Sequence, residues 1–338
     1  MKTRLFKALF FPFRARPGAA LPARVERVLV IRQDNRIGNL VLITPLLTLI
    51  KQRWPKCRLD VVVGGSFGAV IRNHPAIDRL KIYDQLRFIR MPWKFFGFLV
   101  SLRRARYDVV FDLKSVFSFN NMMLSVVSGA RYRVGFKNPL SRGFFHCEVD
   151  LPDPQKYEAE YVAELLRPFM DITRVPAIRC LPLAAETEKA RAQLAAAGLD
   201  KRAPVGIHTG GRGIKKISPE RFLALGFRLR EEGVPAVFFF GPDEKKEVPL
   251  FRAHGFPCFS PATPDAFNGF LPFLRFFVSC DTGPMHMAAG AGTPTLSFFM
   301  QSSPERFAPR GPKNRHHVVA PDADIVPFVL QYLKETVC

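Results

Sequence analysis

The stretch SCDTGPMHMAAGAGTPTLSFF, residues 279 to 299, concentrates the chemistry of this chain. An apolar run ends on Cys280, and Asp281, Thr282 and Gly283 form a turn, with Pro284 at the first helical position and His286 in the first turn. The first amides of a helix have no internal partner. A proline there loses nothing, and the remaining amides, with the positive end of the helix dipole, face whatever docks. A diphosphate is the natural occupant. The same residues also permit a plainer arrangement, in which Asp281 or Thr282 only caps the helix and His286 packs.

Two further stretches carry groups of the same kind. In GIHTGGRGIKKISPERF, residues 206 to 222, a strand opens into a glycine-rich loop. It holds Thr209, Gly210, Arg212, Lys215 and Lys216, after which Ser218 caps a helix with Pro219 at its first position. Glycines let a backbone approach closely, and a lysine supplies a point charge for a phosphate leaving group; a basic solvated turn is the alternative. FFFGPDEKKE ends another strand with Asp243 and Glu244, which suit ribose hydroxyls or a helix cap, Asp243 fitting the cap better. Asp322 and Asp324 have the outline of an Asp-x-Asp metal motif but precede the last helix and read as a cap, so no metal is expected.

Near the N-terminus, DNRIGNLVLITPLL, residues 34 to 47, turns from a strand into a helix around Gly38. It offers Asp34, Arg36 and Asn39. An amide cannot take a proton at neutral pH, though it can position a hydroxyl. Asp34 and Asn35 could equally do no more than shape the turn.

These turns need strands to hold them. RVLVIRQ, RLDVVVGG, RLKIYD, YDVVFDLK and RYRVGF alternate with helical stretches from Leu40 and near 92 to 105. After an irregular segment and the helix KYEAEYVAELLRPFM, VGIHTGG, VPAVFFFG, RFFVSCD, TPTLSFF and HHVVA repeat the pattern, with helices from Ser218, Asp243, Pro284 and Asp324. Continuous apolar strands between helices predict parallel sheets covered on both faces. The fold class is α/β, with two doubly wound sheets facing across a cleft. The expected division is a basic leader over 1–26, a first domain over 27–165 and a second over 166–338, whose last helix could return to the first domain.

The 338 residues suffice for two cores, and 33 Phe point to thick cores or aromatic anchors. A formal charge of +21 demands an anionic partner. Residues 87 to 106, RFIRMPWKFFGFLVSLRRAR, combine six basic side chains with Phe88, Trp93, Phe95, Phe96 and Phe98 and contain no acid. They read as a basic amphipathic helix for an anionic membrane surface, or as a segment partly packed into the core. The leader repeats the theme with Lys2, Arg4, Lys7, Arg14 and Arg16 among Phe6, Phe10, Phe11 and Phe13. No nucleic-acid recognition motif accompanies the charge, so nucleic acid is not the expected partner. No apolar run reaches the roughly 20 residues of a membrane span, and the six scattered cysteines form neither a disulfide framework nor a zinc site.

Taken together, IRxDxxIGxxVLxTPLL, GGRGIKKISPERF, FGPDE and DTGPMHMAAGAGTP resemble the glycosyltransferase family of lipopolysaccharide heptosyltransferases, from about Arg27 to Ala320. The resemblance implies a GT-B architecture and inverting, metal-independent transfer from ADP-heptose, with no cofactor beyond that nucleotide-sugar donor. By position, Thr209, Gly210, Lys216, Glu244, Asp281, Thr282, Gly283 and His286 would hold the donor, Lys216 on the diphosphate and Glu244 near the ribose. The family's usual acid stands where this chain has Asn39. Asp34 is the expected substitute base, with a base elsewhere or lost activity as alternatives. Asn39 and Arg36 would meet a phosphorylated glycolipid acceptor, the lipopolysaccharide core on lipid A. The expected location is cytoplasmic, peripheral on the inner face of the inner membrane. A different nucleotide sugar, or an inactive relative, would keep the same fold.

Overall fold

The computed structural model describes residues 11–15, 19–34, 36–65, 67–199, 203–211 and 216–336. Arg212, Lys215, Asn35 and the leader residues Lys2, Arg4, Phe6, Lys7, Phe10 and Arg16 lie outside them. Two compact units emerge. One holds residues up to Arg36 together with Ile43–Pro176, the other Ile37–Leu42 together with Ala177–Cys338.

Strand β1 (Arg27–Arg32) runs into the short helix α1 (Ile37–Leu42), which belongs to the second unit. The first unit continues with α2 (Thr44–Arg53), β2 (Arg58–Gly64), β3 (Arg79–Tyr83), α3 (Gln85–Arg90) and α4 (Pro92–Arg104). It closes with β4 (Val109–Asp112), α5 (Phe119–Val127), β5 (Tyr132–Phe136), β6 (Cys147–Val149) and α6 (Glu158–Ala163). The order β3-β2-β1-β4-β5-β6 is parallel throughout. Strands with apolar side chains on both faces, such as VVV at 61–63, need cover above and below, and the crossover helices supply it. Leader residues 13 to 15 pack here too: Arg133 donates to the Phe13 carbonyl at 2.7 Å, and the Ala15 amide to that of Gly143 at 2.9 Å.

The second unit holds α7 (Ala184–Ala196), β7 (Val205–His208), α8 (Pro219–Glu231), β8 (Ala236–Phe239), α9 (Val248–Ala253), β9 (Cys258–Phe259) and α10 (Pro264–Phe270). It ends with β10 (Phe276–Cys280), α11 (Gly283–Ala291), β11 (Thr295–Phe299), α12 (Pro304–Phe307), β12 (Asn314–Val318) and α13 (Val326–Glu335). Its order, β12-β11-β10-β7-β8-β9, repeats the first topology. The core is rich in phenylalanine: Phe238 lies 4.4 Å from Phe251 and 5.2 Å from Phe256 between ring centroids.

The division falls at Pro176/Ala177 and not at 165/166. Phe169 explains the shift, because its ring sits 6.0 Å from both Trp54 and Phe111 and fastens the segment after α6 to the first core. Val329, Tyr332 and Leu333 of the last helix, α13, are buried in the second core. Elements absent from the sequence reading are α3, α7, α10, α12 and the edge strands β6 and β9, the last only two residues long. No helix among the described residues is long and apolar enough to cross a membrane.

Candidate functional site

In doubly wound sheets, ligands gather at the carboxyl ends of strands where the strand order reverses. In the second sheet this point lies between β7 and β10, which pair in parallel from Phe276–Val205 to Ser279–His208. Thr209 and Gly210 leave β7 there, and Asp281 and Thr282 leave β10.

Helix α11 starts at Gly283, one residue before the expected Pro284, which takes its second position. Thr282 occupies the N-cap place in extended geometry, yet its side chain makes no cap hydrogen bond. Thr282 Oγ1 and His286 Nδ1 are both buried with no hydrogen-bond partner among the described residues. Capping therefore does not account for this turn. Buried polar groups are nearly always satisfied, so these two, beside a helix N-terminus, make this turn a candidate binding site. Burial brings His286 down to about 4 against the opposing charge of Asp281, which leaves the imidazole neutral at pH 7. Asp281 accepts a hydrogen bond from the Ser302 hydroxyl.

Helix α1 packs directly on α11. A methyl group added at Gly38 would lie 2.6 Å from Cδ2 of His286, and one added at Gly283 would lie 2.9 Å from Cβ of Ile37. The glycines thus let the turn carrying Asn39 press onto the helix carrying His286.

The glycine-rich loop converges on Glu247, which the sequence reading did not single out. Glu247 is buried in the 3-10 turn Pro242–Glu247; its Oε2 accepts from Thr209 Oγ1 at 3.0 Å, and its Oε1 pairs with the Lys216 ammonium. The Gly210 amide donates to Nδ1 of His208 at 3.2 Å. Burial, helped by the Lys216 charge, holds His208 at about 4. Glu244 is buried and its carboxyl is pushed up by desolvation, with Lys216 opposing and Glu247 and Asp243 adding. Asp243 does not cap a helix: Gly241 holds the N-cap place and no side chain caps that turn. Asp324 is not the cap either: it accepts from the Val326 amide at 3.0 Å, but Ile325 holds the N-cap place of α13. The EKKE spacing, with its second acid three residues beyond Glu244 across a 3-10 turn, was the available signal for Glu247.

In the first sheet the reversal lies between β1 and β4, and charged side chains gather there. Lys114 Nζ is 3.2 Å and Arg32 Nε 3.6 Å from Asp34 Oδ2, while Asp34 Oδ1 accepts from the Arg36 amide at 3.2 Å. Arg32 also reaches the Leu113 carbonyl at 2.8 Å and Glu158 at 3.3 Å. Asp34 therefore both shapes the turn and anchors an ion cluster. Asp112, at the end of β4, accepts from Asn121 at 2.8 Å; burial pushes its carboxyl up to about 6 against the pull of Asn121, Lys114 and Arg32. The Arg36 side chain is exposed, and Asn39 is half-buried in α1.

Two parallel six-stranded sheets, each with polar turns at its reversal point, define an α/β protein of GT-B type. The chain belongs to glycosyltransferase family 9 (heptosyltransferase), whose family model matches residues 96–324. It is a glycosyltransferase of the heptosyltransferase type. Lipopolysaccharide heptosyltransferase 1 of Escherichia coli K12 is 22% identical over 316 residues, which span 89% of this chain and 95% of that protein. A glycosyl transferase family 9 structure from Veillonella parvula superposes with a TM-score of 0.79 at 17% identity, covering 90% of each chain. The E. coli ADP-heptose lps heptosyltransferase II does so at 0.76 and 19%, covering 92% of this chain and 98% of that one.

Proposed function

We propose that the enzyme transfers heptose from ADP-heptose to the inner core of lipopolysaccharide, with inversion at the anomeric carbon and without a metal ion. The observation that carries the donor half is the start of α11, where Thr282 Oγ1 and His286 Nδ1 are buried without partners among the described residues and no side chain caps the helix. A diphosphate on the free amides would give those atoms a partner. The names of the relatives, which carry ADP-heptose and lipopolysaccharide, support this sugar and this acceptor.

In this reading the acceptor oxygen attacks the anomeric carbon from the face opposite ADP. The bond to the diphosphate oxygen breaks, its electron pair leaves with ADP, and the hydroxyl proton passes to the Asp34 carboxylate. Lys216 draws charge from the departing diphosphate: an ammonium has three donors, and Glu247 engages one of them in the structure. Thr209, Gly210, Asp281 and Gly283 line the donor, and Glu244 accepts from the ribose. Arg36 meets phosphate on the acceptor, and Asn39 orients its hydroxyl. A lipid-borne acceptor puts the reaction at a membrane surface, in this reading the inner face of the inner membrane.

Incubating the full chain with a panel of nucleotide sugars and truncated lipopolysaccharide, and reading the lipid by mass spectrometry, tests the proposal. One heptose should be added from ADP-heptose, with one ADP released. Asp34→Asn and Lys216→Ala should each lower kcat by about 10²-fold or more. Full turnover by Asp34→Asn removes it as the base, and addition of a different sugar removes the donor assignment. A second reading, a relative that binds ADP-sugar without transferring it, is favoured by Asn39 and by the engagement of Asp34 with Lys114 and Arg32. Tight ADP binding with no product from any donor would select it.

A further inference from the structure

The aromatic residues of 87–106 divide into two sets. Phe88, Phe95, Phe98 and Leu99 pack against the buried Tyr83, Leu102 and Tyr107 of the first core. Leu86, Ile89, Trp93, Phe96 and Val100 point the other way, with exposures of 69%, 69%, 66%, 65% and 45%. On α4 the exposed set falls at 93, 96 and 100 and the inner set at 95, 98, 99 and 102, opposite stripes of one helix. Large apolar side chains exposed together, and not scattered singly, mark an interaction surface.

We infer that the outer face of α3 and α4 docks on an anionic lipid bilayer. Charge identifies the occupant. Arg87, Arg90, Lys94, Arg103, Arg104 and Arg106 flank the apolar stripe, and residues 85 to 107 contain no acid. A second copy of the chain would bring the same cations against them, within molecules of net charge +21. A layer of anionic headgroups over acyl chains matches both components, the arginines at headgroup level and Trp93 and Phe96 below. The inner stripe is already fixed in the core, so the surface is formed before binding and no helix must fold on contact. The inference is independent of which sugar is transferred.

The chain offers its own probe. Of its two tryptophans, Trp54 is buried and Trp93 exposed. Vesicles of phosphatidylglycerol and phosphatidylcholine should bind the full chain, shift Trp93 emission to the blue and quench it through brominated acyl chains. Phosphatidylcholine vesicles should bind it weakly. The double variant Trp93→Ser/Phe96→Ser should lower partitioning about tenfold or more, and Arg87→Gln/Arg90→Gln about fivefold per charge, with melting temperatures unchanged. Three results would overturn the inference: no binding by the unaltered chain, unchanged binding by the folded variants, or a concentration-dependent dimer that Trp93→Ser/Phe96→Ser abolishes. The last would make this face a contact between copies.

Discussion

Gly38→Ala tests whether the α1 turn and the donor helix form one packed unit. The added methyl would lie 2.6 Å from Cδ2 and 3.1 Å from Nε2 of His286, against the roughly 3.5 Å at which carbon atoms rest comfortably. His286 is 4% exposed, so its ring has little room to give way. Relief requires α1 to move off α11 by about 1 Å or His286 to leave its place beside Thr282. Overpacking of this kind costs about 1–3 kcal/mol, and the better helix propensity of alanine returns about 0.5–1. The net loss, up to about 2.5 kcal/mol, corresponds to a fall in melting temperature of up to about 10 °C for a unit of this size. Calorimetric titration with ADP should show weaker binding, because the displaced ring sits at the proposed diphosphate site. Gly97→Ala is the control: nothing lies within 4 Å of its added methyl, so this exposed helical position should gain about 0.5–1 kcal/mol. Combining Gly38→Ala with His286→Ala should cost less than the sum of the single changes. A Gly38→Ala protein as stable as the unaltered chain, with undiminished ADP affinity, would refute the packing argument.

Thr282→Val replaces a buried hydroxyl that has no partner among the described residues, so thermal unfolding of the free protein should change by less than about 1 kcal/mol or improve, while ADP binding weakens. Glu247→Ala takes the carboxylate from both Thr209 and Lys216; the expected result is a loss of about 1–3 kcal/mol in chemical denaturation and a KM for the donor raised about tenfold, and an unchanged KM would exclude Glu247 as a positioning residue. Stability should fall as pH is lowered from 7 to 4. His208 and His286 are held at about 4 against an ordinary 6.5, so between those values the unfolded chain binds more protons; stability is complete above 6.5 and shrinks toward pH 4 by up to about 3 kcal/mol for each. Asp112, raised to about 6 from 3.8, works in reverse and offsets part of that loss over its window, while His146, held at about 4 by burial and the Arg133 charge, adds to it, so pH-dependent melting should show a net loss. His286→Gln should flatten that slope.

The central strands were all legible in advance, and so were the five-residue edge strands β3 and β12. RVLVIR and FFVSC are continuous apolar runs because they are covered on both faces, and composition alone marks such positions. β6 and β9 sit at sheet edges, are three and two residues long, and are only half-buried, so they carry no such mark. Helix α7 escaped for a different reason. Its alanines and charges show little sidedness, and it is held by close approach to α10, where a methyl at Gly269 would meet the Glu186 carbonyl at 2.4 Å. The turn into α11 was readable because a strand end, a Thr-Gly turn and an early proline are local features. Glu247 was not, since its role depends on Thr209 and Lys216 from another loop.

Local sequence determined the α/β alternation, the two-sheet plan and the start of α11, because each depends on residues within one turn or one strand of their neighbours. Tertiary structure decided which charges meet. It set Asp34 among Lys114, Arg32 and the Arg36 amide, tied Lys216 to Glu247, and seated Gly38 on His286. It also sorted Phe88, Phe95 and Phe98 from Trp93 and Phe96, one stripe to the core and one to the surface. Ion pairing and steric contact act over a few ångströms of space, and chain separation does not encode that distance until the sheets have formed.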